Sequence, residues 1–141
     1  DAVVCVGQAG GRAAITPEMI AVNIMDARIP DNAGNKPCHE LIIKEGREAY
    51  FSSLPVKDIE KNLNDNGIPS SVSYHAGTFV CNYLMYCLMN LIDTKYPNMR
   101  GGFVHVPYST EQVKNRETPM PSMELNEITR GLEIIAETLA K

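Results

Sequence analysis

Two short apolar runs set against glycine constrain this chain more than any other feature. Ala2-Val3-Val4-Cys5-Val6 ends at Gly7, and Phe103-Val104-His105-Val106 follows Gly101-Gly102. An apolar run of this length without polar alternation marks a strand buried on both faces, as in the sheet of an α/β protein. Between and after the two runs lie segments with other periods. Ile20, Val22 and Ile24 alternate with Ala21 and Asn23, a period of two that predicts an extended segment in spite of the helix-start look of Thr16-Pro17-Glu18. Leu54 to Asn66 reads as a helix with Val56, Ile59 and Leu63 on one stripe and Asn66-Gly67 as its stop. Ser71–His75 reads as a short strand. A long helix follows from Thr78 to about Tyr96, with Val80, Leu84, Cys87, Leu88 and Leu91 at helical spacing. A last helix, capped by Ser122, carries Leu125, Ile128, Leu132, Ile135 and Leu139 on one face. This order of elements predicts a three-layer α/β/α fold with a mainly parallel central sheet. The 141 residues suffice for one domain and one core, so residues 1–141 are expected to form a single α/β domain.

Composition removes several function classes. The net charge is −4 and no long Lys/Arg run occurs, which argues against nucleic acid and anionic membranes as partners. No apolar stretch approaches the length of a membrane span, and no signal-peptide pattern opens the chain. Cys5, Cys38, Cys81 and Cys87 show neither C-x-x-C pairing nor framework spacing, so they read as reduced thiols and the expected compartment is the cytoplasm. Cys38-His39, His75 and Cys81 match no common zinc spacing, and neither a metal nor an organic cofactor is expected. Gly7-x-x-Gly10-Gly11 lacks the Lys-Ser/Thr of a P-loop and the third glycine of a dinucleotide fingerprint, which leaves a nucleotide site as a minor alternative. Met85, Tyr86 and Met89 fit core or subunit contacts, and Lys57, Glu60 and Lys61 fit a solvated helix face.

The reactive side chains gather where such folds bind ligands, at the carboxyl ends of the strands. Gln8–Arg12 follows the first strand, Cys81 follows Ser71–His75, and His105 lies late in its strand. With Thr78 as N-cap, Cys81 is expected near the third helical position, where unpaired amides and the helix dipole favour a negative charge and could hold an oxyanion. A cysteine in such a place is a candidate nucleophile, although a lone helix cysteine also packs as a small hydrophobe. A nucleophilic thiol needs a base and a group that orients the base. His105 can take the thiol proton and return it to a leaving amine, with a carboxylate fixing its tautomer. Spacing alone does not choose that carboxylate among Glu18, Asp26 and Asp31.

These residues carry a resemblance to a known family. Gly7-Gln8-Ala9-Gly10-Gly11-Arg12 with Ile15-Thr16-Pro17-Glu18 resembles the glutamate motif of the pyroglutamyl peptidase I (pyrrolidone carboxyl peptidase) family. Ser73-Tyr74-His75-Ala76-Gly77-Thr78-Phe79-Val80-Cys81-Asn82 is similar to its cysteine motif, and Gly101-Gly102-Phe103-Val104-His105-Val106-Pro107-Tyr108 to its histidine motif. Asp26-Ala27-Arg28-Ile29-Pro30-Asp31-Asn32 resembles a further signature, and the four blocks stand in family order. The resemblance implies a cysteine peptidase that removes an N-terminal pyroglutamyl residue from peptides through an acyl-enzyme. It implies Cys81 as nucleophile, His105 as base and Glu18 as orienting carboxylate. It also implies Arg28 and the Cys81 amide around the oxyanion, and Gln8, Ile29, Phe79 and Val80 in the lactam pocket. A flat, uncharged lactam suits an apolar slot with a few fixed polar partners, whereas a charged free amine does not. Family members form dimers and tetramers, so the resemblance implies a homo-oligomer. In the family a first strand and an aromatic loop precede the point that corresponds to Asp1. The expectation is therefore a domain missing its N-terminal part, with an incomplete pocket. The alternative is an impaired fragment that serves only as an oligomerising or binding domain.

Overall fold

The computed structural model describes residues 1–141. Its elements are β1 (Ala2–Gln8), β2 (Thr16–Pro17), β3 (Ile20–Val22), β4 (Ala49–Phe51), α1 (Val56–Asp65), α2 (Val80–Lys95), β5 (Arg100–Val106), β6 (Tyr108–Ser109), α3 (Thr110–Val113), β7 (Ser122–Met123) and α4 (Leu125–Leu139). The organising strand is β5. It pairs in parallel with β1 over its whole length, from Ala2 opposite Arg100 to Gln8 opposite Val106. On its other edge β2 runs antiparallel, with Thr16 opposite His105 and Pro17 opposite Val104. The order in the central sheet is β1-β5-β2, and β3–β4 and β6–β7 form separate two-stranded ribbons.

Alternation along β5 divides the molecule into layers. Val104 joins Ile59 and Leu63 of α1 and Ile128 and Ile135 of α4 in one core. Phe103 faces the other way and joins Met85, Tyr86, Met89 and Ile92 of α2. The sheet thus lies between α1 and α4 on one side and α2 on the other, the α/β architecture that the order of elements predicts. The two glycines before Phe103 let α2 and the segment leading into α1 approach closely. A Cβ on Gly101 would lie within 2.4 Å of Ile92 Cδ1, and one on Gly102 within 2.7 Å of Leu54 Cδ1.

Several elements depart from expectation. β1 is an edge strand, paired only with β5, and it is not covered on both faces, since Val3 and Val6 are exposed. Residues 71–75 form no continuous strand. They touch the β2 segment through the single bridge Glu18–Ser73, with Ile15–Ser70 just before them, then turn where the Gly77 amide donates to His75 Nδ1 at 2.8 Å. Gly77 takes φ +85°, a conformation that glycine reaches without steric cost. α2 begins at Val80 and not Thr78, and it buries Asn82, Met85, Tyr86, Met89 and Ile92, leaving Val80, Leu84 and Leu91 exposed. Apolar residues ring this helix, so periodicity does not select its buried face; Asn82 does. Its Oδ1 accepts from the Val22 amide at 2.9 Å, and its Nδ2 donates to Val22 O at 2.9 Å and to Ile24 O at 3.2 Å. Ser122 belongs to β7 and caps nothing; α4 starts after Glu124, which forms a reciprocal capping box with Glu127, and Leu125 is exposed. The stripe on α1 and the core placement of Met85, Tyr86 and Met89 agree with the sequence reading.

Candidate active site

The carboxyl end of β5 carries a buried polar cluster. Glu18, just past β2, donates its amide to Phe103 O at 2.9 Å; on its other side the Met19 amide donates to Ser73 O and the Ser73 amide to Pro17 O. The backbone on both flanks therefore fixes where the Glu18 side chain starts. That side chain is fully buried, and Oε1 lies 2.6 Å from His105 Nδ1. The same oxygen accepts from Arg12 Nη1 at 2.7 Å, while Oε2 is buried without a hydrogen bond. Arg12 also donates to the Thr16 hydroxyl. Of the three carboxylates that spacing leaves open, Glu18 is the one on the imidazole. Asp31 instead accepts from the Ala33 and Asn35 amides within its own loop, and Asp26 is exposed.

Cys81 stands across from this pair at the start of α2. It is the second helical residue, one place earlier than the sequence predicts, because Phe79 and not Thr78 occupies the N-cap position. No side chain caps the helix, and the amides of Val80, Cys81 and Asn82 donate to no backbone carbonyl. Free donors and the positive end of the dipole thus lie at the helix start that carries the thiol. Gly7, opposite His105 in the β1–β5 register, makes the room it needs: a Cβ there would lie 3.0 Å from Cys81 Sγ and 2.7 Å from Phe103 Cζ. The Phe103 ring stacks obliquely on the imidazole, with centroids 4.9 Å apart.

Charge distributes unevenly in this cluster. Burial pushes the Glu18 carboxyl up, but the hydrogen bonds from His105 and Arg12, together with the Arg12 charge, outweigh burial and hold it below its ordinary range. Burial pushes His105 down, yet the neighbouring Cys81 and Glu18 outweigh this and raise it. The pair is set to hold carboxylate beside an imidazole that accepts protons readily. Burial pushes the Cys5 and Cys87 thiols up, as suits cysteines that pack and do not react.

The remaining predicted residues fall into two groups. Ile29, Phe79 and Val80 line one depression of about 710 Å³, together with Pro30, Thr78 and Tyr83. The Thr78 hydroxyl donates to Asp26 O at 2.7 Å, which ties the 26–30 loop to the helix start and brings Arg28 over the Phe79 ring at 5.7 Å. Gln8 does not line this depression. It is exposed, and its amide donates to Gln112 Oε1 at 2.6 Å. Sequence reading missed two contributors, Arg12 on Glu18 and Asn82 clamping Val22 and Ile24. A cation in the glycine-rich loop six residues before the glutamate was a visible signal for the first. A lone Asn in an apolar helix was a signal for the second.

Comparisons with known proteins agree on one family. The family model described as pyroglutamyl peptidase matches residues 1–141. A pyrrolidone-carboxylate peptidase of Clostridium perfringens is 53% identical over 134 residues, 95% of this chain and 62% of the relative. One from Enterococcus faecalis is 50% identical over 141 residues, 100% of this chain and 66% of the relative. Among solved structures, pyroglutamyl peptidase I from Bacillus amyloliquefaciens superposes with a TM-score of 0.93 at 51% identity, covering 98% of this chain and 65% of that one. Pyrrolidone carboxyl peptidase from Thermococcus litoralis gives 0.93 at 42% identity, covering 97% and 64%. The chain spans a little under two thirds of the length of these relatives.

Proposed function

Because the chain belongs to the pyroglutamyl peptidase family, we propose that it is the catalytic α/β domain of a cysteine peptidase that hydrolyses the N-terminal pyroglutamyl residue from peptides. The observation that carries this reading is the buried 2.6 Å contact between Glu18 and His105, opposite an uncapped helix start that bears Cys81. In the proposed reaction His105 accepts the Cys81 thiol proton, and the thiolate attacks the pyroglutamyl carbonyl carbon. The carbonyl oxygen becomes an oxyanion within reach of the Cys81 amide and Arg28, donors it gains only as charge develops. His105 then gives its proton to the departing amine, and the carbon–nitrogen bond breaks to leave an acyl-enzyme. Water, deprotonated by His105, hydrolyses the thioester and restores the thiol. Glu18 accepts from Nδ1 throughout, holding the tautomer in which Nε2 is free to take the proton and stabilising the imidazolium.

The lactam ring is assigned to the apolar residues Ile29, Phe79 and Val80 of this depression, with Gln8, which stands outside it on Gln112, assigned a polar contact to the substrate. Peptides with N-terminal pyroglutamate are the proposed partners, without nucleic acid or membrane. A homo-oligomer, dimer or tetramer, in the cytoplasm completes the reading; no helix here is long and apolar enough to cross a membrane. Hydrolysis of a pyroglutamyl-amide by the protein and its Cys81→Ala variant tests the proposal. The variant loses the only group able to form the acyl-enzyme, so turnover should vanish, and robust turnover by it would overturn the assignment.

A further inference from the structure

We propose that Arg12 is a positioning residue of this site, which fixes the Glu18 carboxylate, in orientation and in charge, for its work on His105. The inference rests on the triad reading above and adds a fourth member to it. Three observations support it. Glu18 Oε1 receives two donors, His105 Nδ1 at 2.6 Å and Arg12 Nη1 at 2.7 Å, whereas Oε2 has none. Both donors thus converge on one oxygen of the carboxylate. Second, the carboxylate is fully buried, while the Arg12 side chain keeps 29% of its surface in contact with solvent. A buried carboxylate stays ionised only with a compensating charge, and a part-exposed guanidinium supplies that charge without itself being stranded. Third, Arg12 is anchored from the sheet by the Thr16 hydroxyl, so it does not depend on Glu18 alone for its place.

The need for Arg12 follows from the proton cycle. His105 is cationic for part of each turnover and neutral for the rest. Whenever it is neutral, Glu18 would be an unpaired buried anion if Arg12 were absent. Such an anion would draw a proton, and a protonated Glu18 no longer stabilises the imidazolium. The titratable and charged groups that face the pair are Arg12 from the β1–β2 loop and, through His105, Cys81 from α2. Removing the one permanent cation from this set raises the proton affinity of every acid in it, so the active ionisation state forms only at higher pH.

The test uses the full chain with Arg12→Met and Arg12→Lys. Two pH profiles are recorded: hydrolysis of a pyroglutamyl-amide, and alkylation of Cys81 by iodoacetamide followed by peptide mass mapping. Arg12→Met should lower kcat roughly 10²-fold, the scale expected for misplacing a catalytic group by about 1 Å, with KM little changed. The acid limb of both profiles should move to higher pH by about one unit. Arg12→Lys keeps the charge and loses the fork, so the acid limb should return towards wild type while the rate recovers only in part. A general loss of packing would lower rates without moving either limb. An unmoved acid limb in Arg12→Met, or a folded Arg12→Lys that behaves as Arg12→Met does, overturns the inference. If Arg12→Met does not fold, Arg12→Lys and Arg12→Gln carry the same comparison. Absence of wild-type hydrolysis would defeat the peptidase reading alone, since the alkylation profiles judge Arg12 without a substrate.

Discussion

The site has two halves of opposite character. Glu18 and His105 are 0% and 4% exposed, and strand pairing on both sides dictates where each side chain begins. Ile29 and Val80, assigned to the lactam, are 68% and 67% exposed and stand on a loop and the first residue of a helix. Proton transfer needs fixed geometry in a water-poor setting, where each charge acts strongly and a misplaced one is costly. Recognition of a small lactam needs apolar surface that covers the ligand on arrival, and that surface meets water until then. Chemistry is therefore built into the sheet, and selectivity is laid over its rim. Substitutions in the two halves should differ in size and in which constant they change.

The largest effect is expected at the buried half. Glu18→Gln keeps the shape but offers His105 a neutral amide that can hold the wrong tautomer, and kcat should fall roughly 10³-fold with little change in KM. Asp31→Asn, on the exposed rim, should stay within about twofold, as surface changes usually do. Steady-state kinetics on a pyroglutamyl-amide decides the matter. An unaffected Glu18→Gln protein would mean that burial does not mark the carboxylate that matters, and the contrast between the halves would collapse.

Asn82 joins the two halves mechanically. Its side chain clamps Val22 and Ile24 to α2 one residue after Cys81, with three hydrogen bonds inside a buried seam. Asn82→Ala strands a backbone amide and two carbonyls, and unfolding free energy should drop by about 2–4 kcal/mol, read from the denaturation midpoint. A drop below about 1 kcal/mol would show that water satisfies those groups, and that the seam is less closed than its packing indicates.

How much of this was legible in the sequence follows the same division. β1, β5 and α1 were readable because short apolar runs and one clear stripe admit few alternatives. The face of α2 was not, since apolar residues surround it and a single buried Asn sets its rotation. The 71–75 segment looked like a strand, but it makes only the bridge Glu18–Ser73 before Gly77 turns the chain. Among site residues, spacing brought Cys81 and His105 to one end of the sheet yet left three carboxylates open. The choice of Glu18 depends on β2 running antiparallel to β5, a pairing across about ninety residues that no local pattern encodes. The same long-range pairing hid the role of Arg12.

A smaller effect concerns pH and stability. Glu18 is held below its ordinary value in the fold, so its contribution is present above the unfolded value of about 4.3 and is lost as pH falls through the folded one. His105 is raised, so its contribution is complete below the unfolded value of about 6.5 and is lost as pH rises through the folded one. The pair should therefore stabilise the fold most between these two unfolded values. The difference in Tm between wild type and His105→Gln should shrink as pH climbs above that window. A difference that instead grew with pH would mean that His105 is not held as a cation by Glu18 and Cys81.

The smallest change is expected on the rim. Ile29→Ala removes a side chain that is mostly in water before substrate binds, so unfolding free energy should move by less than about 0.5 kcal/mol. With substrate present, part of that side chain is covered by the lactam, and losing about 1 kcal/mol of apolar burial corresponds to roughly a fivefold rise in KM. The rate of Cys81 alkylation should not change, because the aliphatic Ile29 side chain offers Glu18, His105 and the thiol neither charge nor hydrogen bond. Measuring all three quantities on one variant separates the two halves directly. A rise in KM alone sharpens the contrast between a rigid chemical centre and an open recognition surface. A parallel fall in thiol reactivity would show that the loop also shapes the helix start, which the Thr78–Asp26 link makes the natural route. In that event the rim and the buried centre would have to be treated as one coupled unit.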